Sequence, residues 1–348
     1  MRNPGGPTVD GPAYGLVLCS QFLPGDDATA RFAEQVEQVH HARDHGFASV
    51  WATQHYLAEE VQYLHPLAVL GRLVPETGDM RIGTAITLMA LAHPVDLAEQ
   101  LATLDILSGG RLVVGAGLGY RDAEFDAFGV PRDRRLRRFR ENLDLVRKLW
   151  TEEQVTFAGD AGRIDGLRPQ LRPVQRPHPP IWLAGHTDSA LTRTAATGLP
   201  WIAAAAHVDA DYLRAQAAFF RARCAEHGRD AEINVLQEVY VGASDEQAVE
   251  DVRDALAMKY ATYRSWGQDR ILPDSQSFDR EFDELRRGRF ILGGPQTCRD
   301  RLAELITTTG AAHVLLRPQW PGLPHERVMG SLQRLTDEVL PALAGVTA

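Results

Sequence analysis

Residues 81–118 read RIGTAITLMALAHPVDLAEQLATLDILSGGRLVVGAGL, and this stretch decides the fold. Its first nine residues form a mostly apolar run that is typical of a buried strand, and Pro94 then stands where a first helical residue is favoured. Leucines recur at three- and four-residue spacing up to Leu107, and Ser108–Gly110 ends the helix. Residues 111–118 form the next apolar run. A strand, an amphipathic helix and another strand are the repeating unit of a parallel α/β fold.

The same alternation extends along the whole chain. Eight strand-like runs are predicted, each followed by helical sequence: Tyr14–Cys19, Ser49–Ala52, Arg81–Met89, Arg111–Leu118, Ile181–Ala184, Trp201–Ala205, Asn234–Val241 and His313–Leu316. Eight such units are what a closed (β/α)8 TIM barrel requires, so we expect one α/β domain over residues 1–348. The competing doubly wound sheet needs a glycine-rich turn after its first strand, whereas residues 20–24 read SQFLP.

One segment, about residues 265–290, does not fit the repeat. It is charged and aromatic, and it lies between the helix after strand seven and strand eight. Long insertions in a compact fold are often lids or binding loops. The segment is therefore predicted to be an insertion before strand eight, either as a lid over the site or as a surface helix.

The composition is that of an ordinary globular protein. Of 348 residues, 44% are apolar, and 46 acidic against 37 basic side chains give a net charge of −9. This charge argues against a surface that binds a nucleic-acid backbone. The longest apolar run, Trp201–Ala206, is far shorter than the ~20 residues of a membrane span, and the opening residues Met1–Gly6 do not resemble a signal peptide. We expect a soluble cytoplasmic protein with neither nucleic-acid nor membrane partners.

In a barrel of this kind the active site lies at the carboxyl ends of the strands. The candidate positions are the residues that follow each strand: Cys19–Gln21, Thr53–Tyr56, Ala85–Thr87, Gly117–Tyr120, Gly185–Ser189, Ala205–His207, Gln237–Glu238 and Arg317–Trp320. Among them His55 is the acid–base candidate, because imidazole titrates near neutral pH; a structural histidine is the alternative. The strand ends carry single histidines rather than clusters, and the three cysteines lie far apart, so no metal site is predicted.

Two other stretches suit an anion. Gly185–Ser189, GHTDS, joins strand five to a helix, and its glycine, hydroxyls and free helix amides suit a phosphate as well as an ordinary helix cap. Residues 132–140 hold six arginines in nine positions. Such a run suits an anionic ligand, a solvated helical face or a subunit contact.

Several motifs occur in order along the chain between about Tyr14 and Leu316: Ile82–Thr87, Ala92–Pro94, Ala98–Gln100, Leu104–Arg111, Val114–Gly117, Glu124–Phe125, Ala127–Pro131 and Pro180–Gly185. Together they resemble the bacterial luciferase-like flavin-dependent monooxygenases. The resemblance implies a (β/α)8 barrel, usually a homodimer, that binds reduced flavin at its carboxyl face.

The resemblance also implies roles for individual residues. His55 matches the family histidine that handles the flavin peroxide and its protons, although Gln54 and Tyr56 replace the flanking glutamate and histidine. Ala85–Ile86 matches a non-proline cis peptide beneath the flavin ring. The family's phosphate-binding turn is matched by Gly185, Thr187 and Ser189.

Two further positions depart from luciferase itself. Gly117 and Leu118 stand where luciferase has a reactive cysteine and a flavin-contacting arginine, respectively. The light-emitting reaction is therefore not implied. Arg135 or Arg138 is expected to supply the missing positive charge near the cofactor.

The activity implied is oxygenation of a small, largely apolar substrate by reduced FMN and O2, through a flavin 4a-hydroperoxide in a pocket that excludes water. Phe22, Tyr56, Leu118 and Trp320 are expected to line the substrate pocket. No dinucleotide-binding fingerprint is visible, so a separate flavin reductase is expected to supply FMNH2. Two alternatives stay open: hydride transfer with a deazaflavin coenzyme, whose acidic tail suits the arginine run, and a non-catalytic flavin-binding protein.

Overall fold

The computed structural model describes residues 11–347. The opening segment Met1–Gly6, where no signal peptide was expected, lies outside the described residues. Within residues 11–347, no helix combines the length and the apolar character needed to cross a membrane.

Parallel strands form the centre of the molecule. In the described part of the chain the strands are β1 (Ala13–Val17), β2 (Gln21–Phe22), β3 (Ser49–Ala52), β4 (Gln62–Tyr63), β5 (Arg81–Leu88), β6 (Leu112–Gly117), β7 (Val155–Gly159), β8 (Gly162–Leu167), β9 (Ile181–Ala184), β10 (Trp201–Ala204), β11 (Ile233–Val241), β12 (Ile291–Gly293) and β13 (His313–Arg317). Eight of them pair in the ring order β1–β3–β5–β6–β9–β10–β11–β13, and β13 pairs back with β1. The predicted closed parallel barrel is confirmed, and every predicted barrel strand agrees with the observed one to within two residues at each end.

Helices surround the barrel. They are α1 (Ala28–Asp44), α2 (Pro66–Leu73), α3 (Pro94–Leu107), α4 (Asp122–Ala127), α5 (Arg135–Thr151), α6 (Asp188–Thr197), α7 (Ala210–Glu226), α8 (Asp245–Ser265), α9 (Phe282–Leu285), α10 (Pro295–Thr309) and α11 (His325–Arg334). Several begin at a side-chain cap: Thr187 accepts from the Ala190 N–H at 3.2 Å, and Asp209 accepts from the Tyr212 N–H at 2.8 Å. Left-handed Gly198 ends α6.

Five short strands were not predicted from the sequence. β2 pairs with β4, β7 pairs with β8 in an antiparallel hairpin, and β12 extends the sheet beside β11. β2 and β4 are only two residues long, which is too short for any hydrophobic period to be visible. β8 is largely exposed and therefore lacks the apolar run that marked the barrel strands.

Apolar side chains fill the middle of the barrel. The indole rings of Trp51 and Trp182 stack with their centroids 4.7 Å apart. Aliphatic side chains from other strands surround the pair: Val17, Val113, Ile202, Leu236 and Leu315. The interior is thus a packed core, as in other barrels of this type, and the strand ends are left to form a site.

The insertion follows α8 and packs against the body of the barrel. Its large aromatic side chains are buried: Trp266, Phe278, Phe282 and Phe290. Gln276 Nε2 donates to Asp209 Oδ2 at 2.6 Å, which ties the insertion to the start of α7. The insertion before strand eight lies where the sequence placed it, and its motion as a lid stays a prediction.

Candidate active site

A cavity of about 480 Å³ opens at the carboxyl ends of the barrel strands. Its volume is in the range of ordinary cofactor and small-molecule pockets. Nine residues singled out from the sequence line it: His55, Ala85, Ile86, Gly117, Leu118, Arg135, Gly185, Thr187 and Ser189. The insertion contributes Gln268, Ile271 and Leu272 to the same lining. The barrel thus brings together residues that are distant in the sequence.

One side of the cavity combines the small residues Ala85 and Gly117 with Ile86 and Leu118. The peptide bond between Ala85 and Ile86 is cis, as the resemblance implied. A Cβ atom on Gly117 would lie 1.9 Å from Ile86 Cδ1, and a Cβ atom on Gly115 would lie 2.1 Å from the Thr84 carbonyl oxygen. Glycine is therefore needed for β5 and β6 to approach so closely. This side is the glycine wall, defined by Ala85, Ile86, Gly117 and Leu118.

His55 is held by a buried carboxylate. Its Nδ1 lies 3.0 Å from Glu124 Oε1, and the Glu124 side chain is fully buried. An ionised Glu124 can only accept, so this contact places the proton of a neutral imidazole on Nδ1. Nε2 lies 3.3 Å from the Tyr120 hydroxyl, and this hydroxyl donates a hydrogen bond to Gln268 Oε1 at 3.0 Å. His55 Nε2 is thereby left as an acceptor for a ligand.

Tyr120 keeps its proton in this arrangement. Burial raises the pKa of the Tyr120 hydroxyl well above its ordinary value, and the nearby Tyr263 and Glu124 raise it further. The phenol therefore acts as a neutral hydrogen-bonding group at neutral pH.

The turn of residues 185–189 joins β9 to α6 at the cavity edge. The Gly185 carbonyl accepts from Trp201 Nε1 at 2.9 Å, and the His186 carbonyl accepts from Gln216 Nε2 at 2.5 Å. These two bonds fix the backbone of the turn. The Thr187 hydroxyl caps α6 and lies 3.2 Å from Ser189 Oγ. The Thr187 hydroxyl thus engages the Ala190 amide, and the remaining amides at the start of α6 and the two hydroxyls are the groups that an anion at this turn would contact.

Two arginines add positive charge to the cavity lining. Arg135 and Arg193 both contribute to it. Burial lowers the pKa of each guanidinium, and a neighbouring arginine lowers it further: Arg132 for Arg135, and Arg140 for Arg193. The local surplus of positive charge suits a phosphate ester.

Two histidines near the turn are neutral at neutral pH. Burial lowers the pKa of His186 to about 4. The pKa of His207 is also lowered, first by burial and then by the nearby His186, Lys259 and Arg317. The Gln268 amide lies 3.1 Å from His207 Nε2, so this one side chain connects the insertion to both Tyr120 and His207.

The side of the barrel opposite the glycine wall carries buried charges. Lys259 Nζ forms an ion pair with Glu238 Oε1, and each side chain is 1% exposed. Trp320 Nε1 donates to Glu238 Oε2 at 2.5 Å. Arg317, the last residue of β13, lines the cavity with Nη1 3.8 Å from Glu238 Oε1. This side is the charged wall, defined by Glu238, Lys259 and Arg317.

Four sequence-predicted site residues lie outside the cavity lining, which corrects their expected positions. Phe22 is buried in β2, and Trp320 is buried against Glu238. The Tyr56 hydroxyl accepts from Gln54 Nε2 at 2.6 Å, and its ring packs on Phe128. Arg138 Nε donates to the Ala90 carbonyl at 2.9 Å, so Arg135 rather than Arg138 reaches the cavity.

Three residues of the site were not among the candidate positions selected from the sequence: Glu124, Arg193 and Gln268. Tyr120 and Arg317 were among the candidate strand-end positions but had no assigned role, although Arg317 is a charged residue that ends a buried strand, HVLLR, at the carboxyl side. Glu124 belongs to a quoted motif, yet its bond to His55 joins residues 69 positions apart and is visible only in the fold.

The chain matches known proteins over most of its length. The family model for luciferase-like monooxygenases covers residues 13–313. The chain is 24% identical over 331 residues to the oxygenase component of the flavin-dependent trigonelline monooxygenase of Acinetobacter baylyi, covering 90% of each protein. It is 31% identical over 249 residues to the F420-dependent hydroxymycolic acid dehydrogenase of Mycobacterium tuberculosis, covering 69% of this chain and 65% of the relative.

A solved structure has the same fold. The oxygenating constituent of 3,6-diketocamphane monooxygenase from Pseudomonas putida, in complex with FMN, aligns with a TM-score of 0.80 at 18% identity, covering 95% of this chain and 98% of that one. The curated relatives thus include flavin-dependent monooxygenases and F420-dependent oxidoreductases. With a family match over residues 13–313, this chain belongs to the luciferase-like monooxygenase family.

Proposed function

We propose that the protein is an oxygenase that uses reduced FMN and O2 to oxygenate a small, largely apolar organic substrate. The observation that carries the proposal is the position of the glycine wall in the same cavity as the 185–189 turn and two cationic arginines. A flat ring needs an apolar surface in which some residues are small, and its phosphate needs hydroxyls, amides and positive charge. The cavity supplies both.

The residues that line the cavity are chemically suited to FMN. The 185–189 turn with Arg135 and Arg193 would hold the phosphate, and the glycine wall would support the isoalloxazine ring. Reduced FMN supplies the two electrons that allow one atom of O2 to enter the substrate and the other to leave as water.

His55 is the proton-handling residue of the proposal. Glu124 fixes the imidazole through Nδ1, and Nε2 can then accept a proton from a bound molecule or return one. The aromatic rings of Tyr63, Tyr120 and Trp266 lie within 5.0–5.5 Å of the imidazole centroid and shield it from water. Exclusion of water matters, because bulk protons divert reduced flavin and O2 to H2O2.

The phosphate site can be tested without knowing the substrate. FMN and riboflavin share the ring and differ in the phosphate, so FMN should bind about 10- to 100-fold more tightly. Arg193→Gln should remove most of that preference, whereas Arg147→Gln, at an exposed position on α5, should leave it unchanged. Titration followed by flavin fluorescence measures both. Equal affinity for the two flavins in the wild-type protein would refute the phosphate site.

The role of His55 can be tested by the fate of O2. The wild-type protein loaded anaerobically with reduced FMN should release H2O2 more slowly than free reduced FMN after O2 is added. His55→Ala should release H2O2 faster than the wild type at the same bound flavin. A variant indistinguishable from the wild type would remove His55 from the proposal.

A second candidate is hydride transfer with a deazaflavin coenzyme, and the arginine run is the observation that favours it. Much of that run is already engaged: Arg132 pairs with Asp122, Arg137 with Glu141, and Arg138 with the Ala90 carbonyl. This leaves Arg135 at the cavity and supports FMN over the coenzyme with an acidic tail. Substrate turnover with reduced deazaflavin in the absence of O2 would instead select this candidate. Flavin binding without any turnover would indicate a non-catalytic member.

The proposal includes partners. We propose that a separate flavin reductase delivers reduced FMN by transient contact, that the protein works as a homodimer and that it acts in the cytoplasm. A reductase–oxygenase reconstitution and light scattering in solution would test the first two statements.

A further inference from the structure

The buried charges around Arg317 do not balance. Arg317 and Lys259 are cationic, and Glu238 is the carboxylate that both face. Lys259 contacts Glu238 Oε1 directly, and Trp320 Nε1 donates a hydrogen bond to Oε2. Arg317 Nη1 lies 3.8 Å from Oε1. One positive charge is thus left over where water has little access, and a buried charge without a partner is costly.

Other ionisable groups near Arg317 do not supply the missing negative charge. Burial raises the pKa of the Cys19 thiol to about 11, and burial together with Tyr263 raises the pKa of the Tyr63 hydroxyl. Both groups are therefore neutral at neutral pH. Glu124, the carboxylate beside His55, is already bound to the imidazole and to the Tyr56 amide.

The guanidinium of Arg317 is available to a ligand. Arg317 is 6% exposed and nevertheless lines the cavity. Its Nε has no hydrogen-bond partner among residues 11–347. Tyr63 and Tyr263 line the cavity as well, and their hydroxyls accept from Gln21 Nε2 at 3.1 and 3.0 Å. Each phenol is thereby held in place. The Tyr63 hydroxyl also contacts Thr53 Oγ1, and with Thr53 as the donor of that bond each phenol keeps its own proton to donate.

This group is separate from the proposed phosphate site. Arg317 ends β13, whereas the 185–189 turn follows β9, three strands away around the barrel. A phosphate on the turn therefore leaves Arg317 without an anion. The two anion-binding positions belong to different parts of one cavity.

We infer that the substrate carries an anionic oxygen group, such as a carboxylate, that Arg317 binds in the cavity with hydrogen bonds from the neighbouring tyrosines. That the ligand is the substrate rests on the proposed function. The guanidinium offers two parallel N–H groups, the geometry that matches a carboxylate. The substrate expected to be largely apolar thus has one charged end, which faces the charged wall.

Benzoate and benzamide test the inference, because they have nearly the same size and shape and differ in charge. Calorimetric titration of the FMN-free protein in low-chloride buffer should show benzoate binding about 10- to 100-fold more tightly than benzamide. Arg317→Gln should abolish this preference, and Arg317→Lys should keep part of it. Thermal unfolding of each variant establishes that it is folded. If Arg317→Gln does not fold, the Arg317→Lys titration decides: an undiminished preference for benzoate would overturn the inference.

A matched control separates this site from the cofactor site. Arg193→Gln should retain the preference for benzoate over benzamide and lose the preference for FMN over riboflavin. Arg317→Gln should lose the preference for benzoate and retain the preference for FMN. Equal binding of benzoate and benzamide by the wild type, or a benzoate preference that survives in Arg317→Gln, would overturn the inference. So would an Arg317→Gln variant that loses affinity only for reduced FMN. Failure of FMN binding with an intact benzoate preference would reject the proposed cofactor alone.

Discussion

The two walls of the cavity are built in opposite ways. The glycine wall gains its shape from side chains that are absent, since a Cβ atom on Gly115 or Gly117 would collide with β5. The charged wall gains its character from three buried side chains, Glu238, Lys259 and Arg317, that belong to three different elements. The comparison teaches that room for a ring and recognition of a charged group are provided by separate parts of the barrel. Each can therefore be changed separately.

The largest expected effect comes from breaking the charged wall. Lys259→Met leaves the Glu238 carboxylate without its closest cation, so the free energy of unfolding should fall by about 3–5 kcal/mol. Lys148 pairs with Asp144 on the partly exposed surface of α5, and Lys148→Met should cost about 0.5 kcal/mol or less. Urea unfolding measures both. Similar losses for the two variants would mean that burial does not distinguish these ion pairs.

Filling the close contact between β5 and β6 beside the glycine wall should have the next largest effect. The Cβ atom of Gly115→Ala would lie 2.1 Å from a backbone oxygen, which cannot rotate away, so a loss of about 2–3 kcal/mol in unfolding free energy is expected. Gly71 in α2 has open space around it, and Gly71→Ala should be neutral or stabilising by up to about 1 kcal/mol. Thermal and urea unfolding of the pair test the contrast. A harmless Gly115→Ala would show that β5 and β6 can separate.

His186, which lies within the 185–189 turn, predicts a pH dependence of stability that neither wall explains. The pKa of His186 falls from its ordinary value near 6.5 to about 4 on folding. Between these values the unfolded chain takes up a proton that the folded protein refuses, so stability is complete above about pH 6.5 and declines towards pH 4. His186→Gln should reduce that decline by about 2–3 kcal/mol at about pH 4. His227→Gln, at an exposed position, should follow the wild type in urea unfolding across this range; a His186→Gln profile parallel to the wild type would contradict the assignment.

The smallest expected effect sharpens the description of the glycine wall. Gly117→Ala places a Cβ atom 1.9 Å from the mobile end of Ile86, which must then turn towards the cavity. FMN affinity should fall about fivefold, or ~1 kcal/mol. Ile86→Val removes the colliding Cδ1 atom, so the double variant should recover affinity in the same fluorescence titration. No recovery would place the effect elsewhere than in this contact.

The barrel could be predicted from local patterns in the sequence, and the residues of the glycine wall could be predicted from the family resemblance. Apolar runs mark the strands, and the motif at Ile82–Thr87 lies within one strand, so its geometry follows the chain. The 185–189 turn is likewise contiguous, which is why its residues reach the cavity together.

The charged wall could be predicted only in part, because Glu238 and Arg317 were candidate strand-end positions, whereas Lys259 and the contacts among the three residues were not visible in the sequence. Glu238 and Lys259 are 21 positions apart, and Trp320 reaches Glu238 from 82 positions away. Such contacts depend on how helices and strands pack. The same limit explains the errors: Trp320 was placed in the cavity because it follows a strand end, but the indole turns inward to the carboxylate. Arg138 and Arg135 are indistinguishable in a run of arginines until the helix sets their directions.

The stacked rings of Trp51 and Trp182 fill the interior of the barrel below the cavity. With the aliphatic residues around them, these rings close the axial route between the two ends. Whatever reacts in the cavity therefore enters and leaves at the end of the barrel where the strands have their carboxyl ends. A ligand bound near the mouth of the cavity blocks access to deeper positions. The ligand that binds more deeply must therefore bind first.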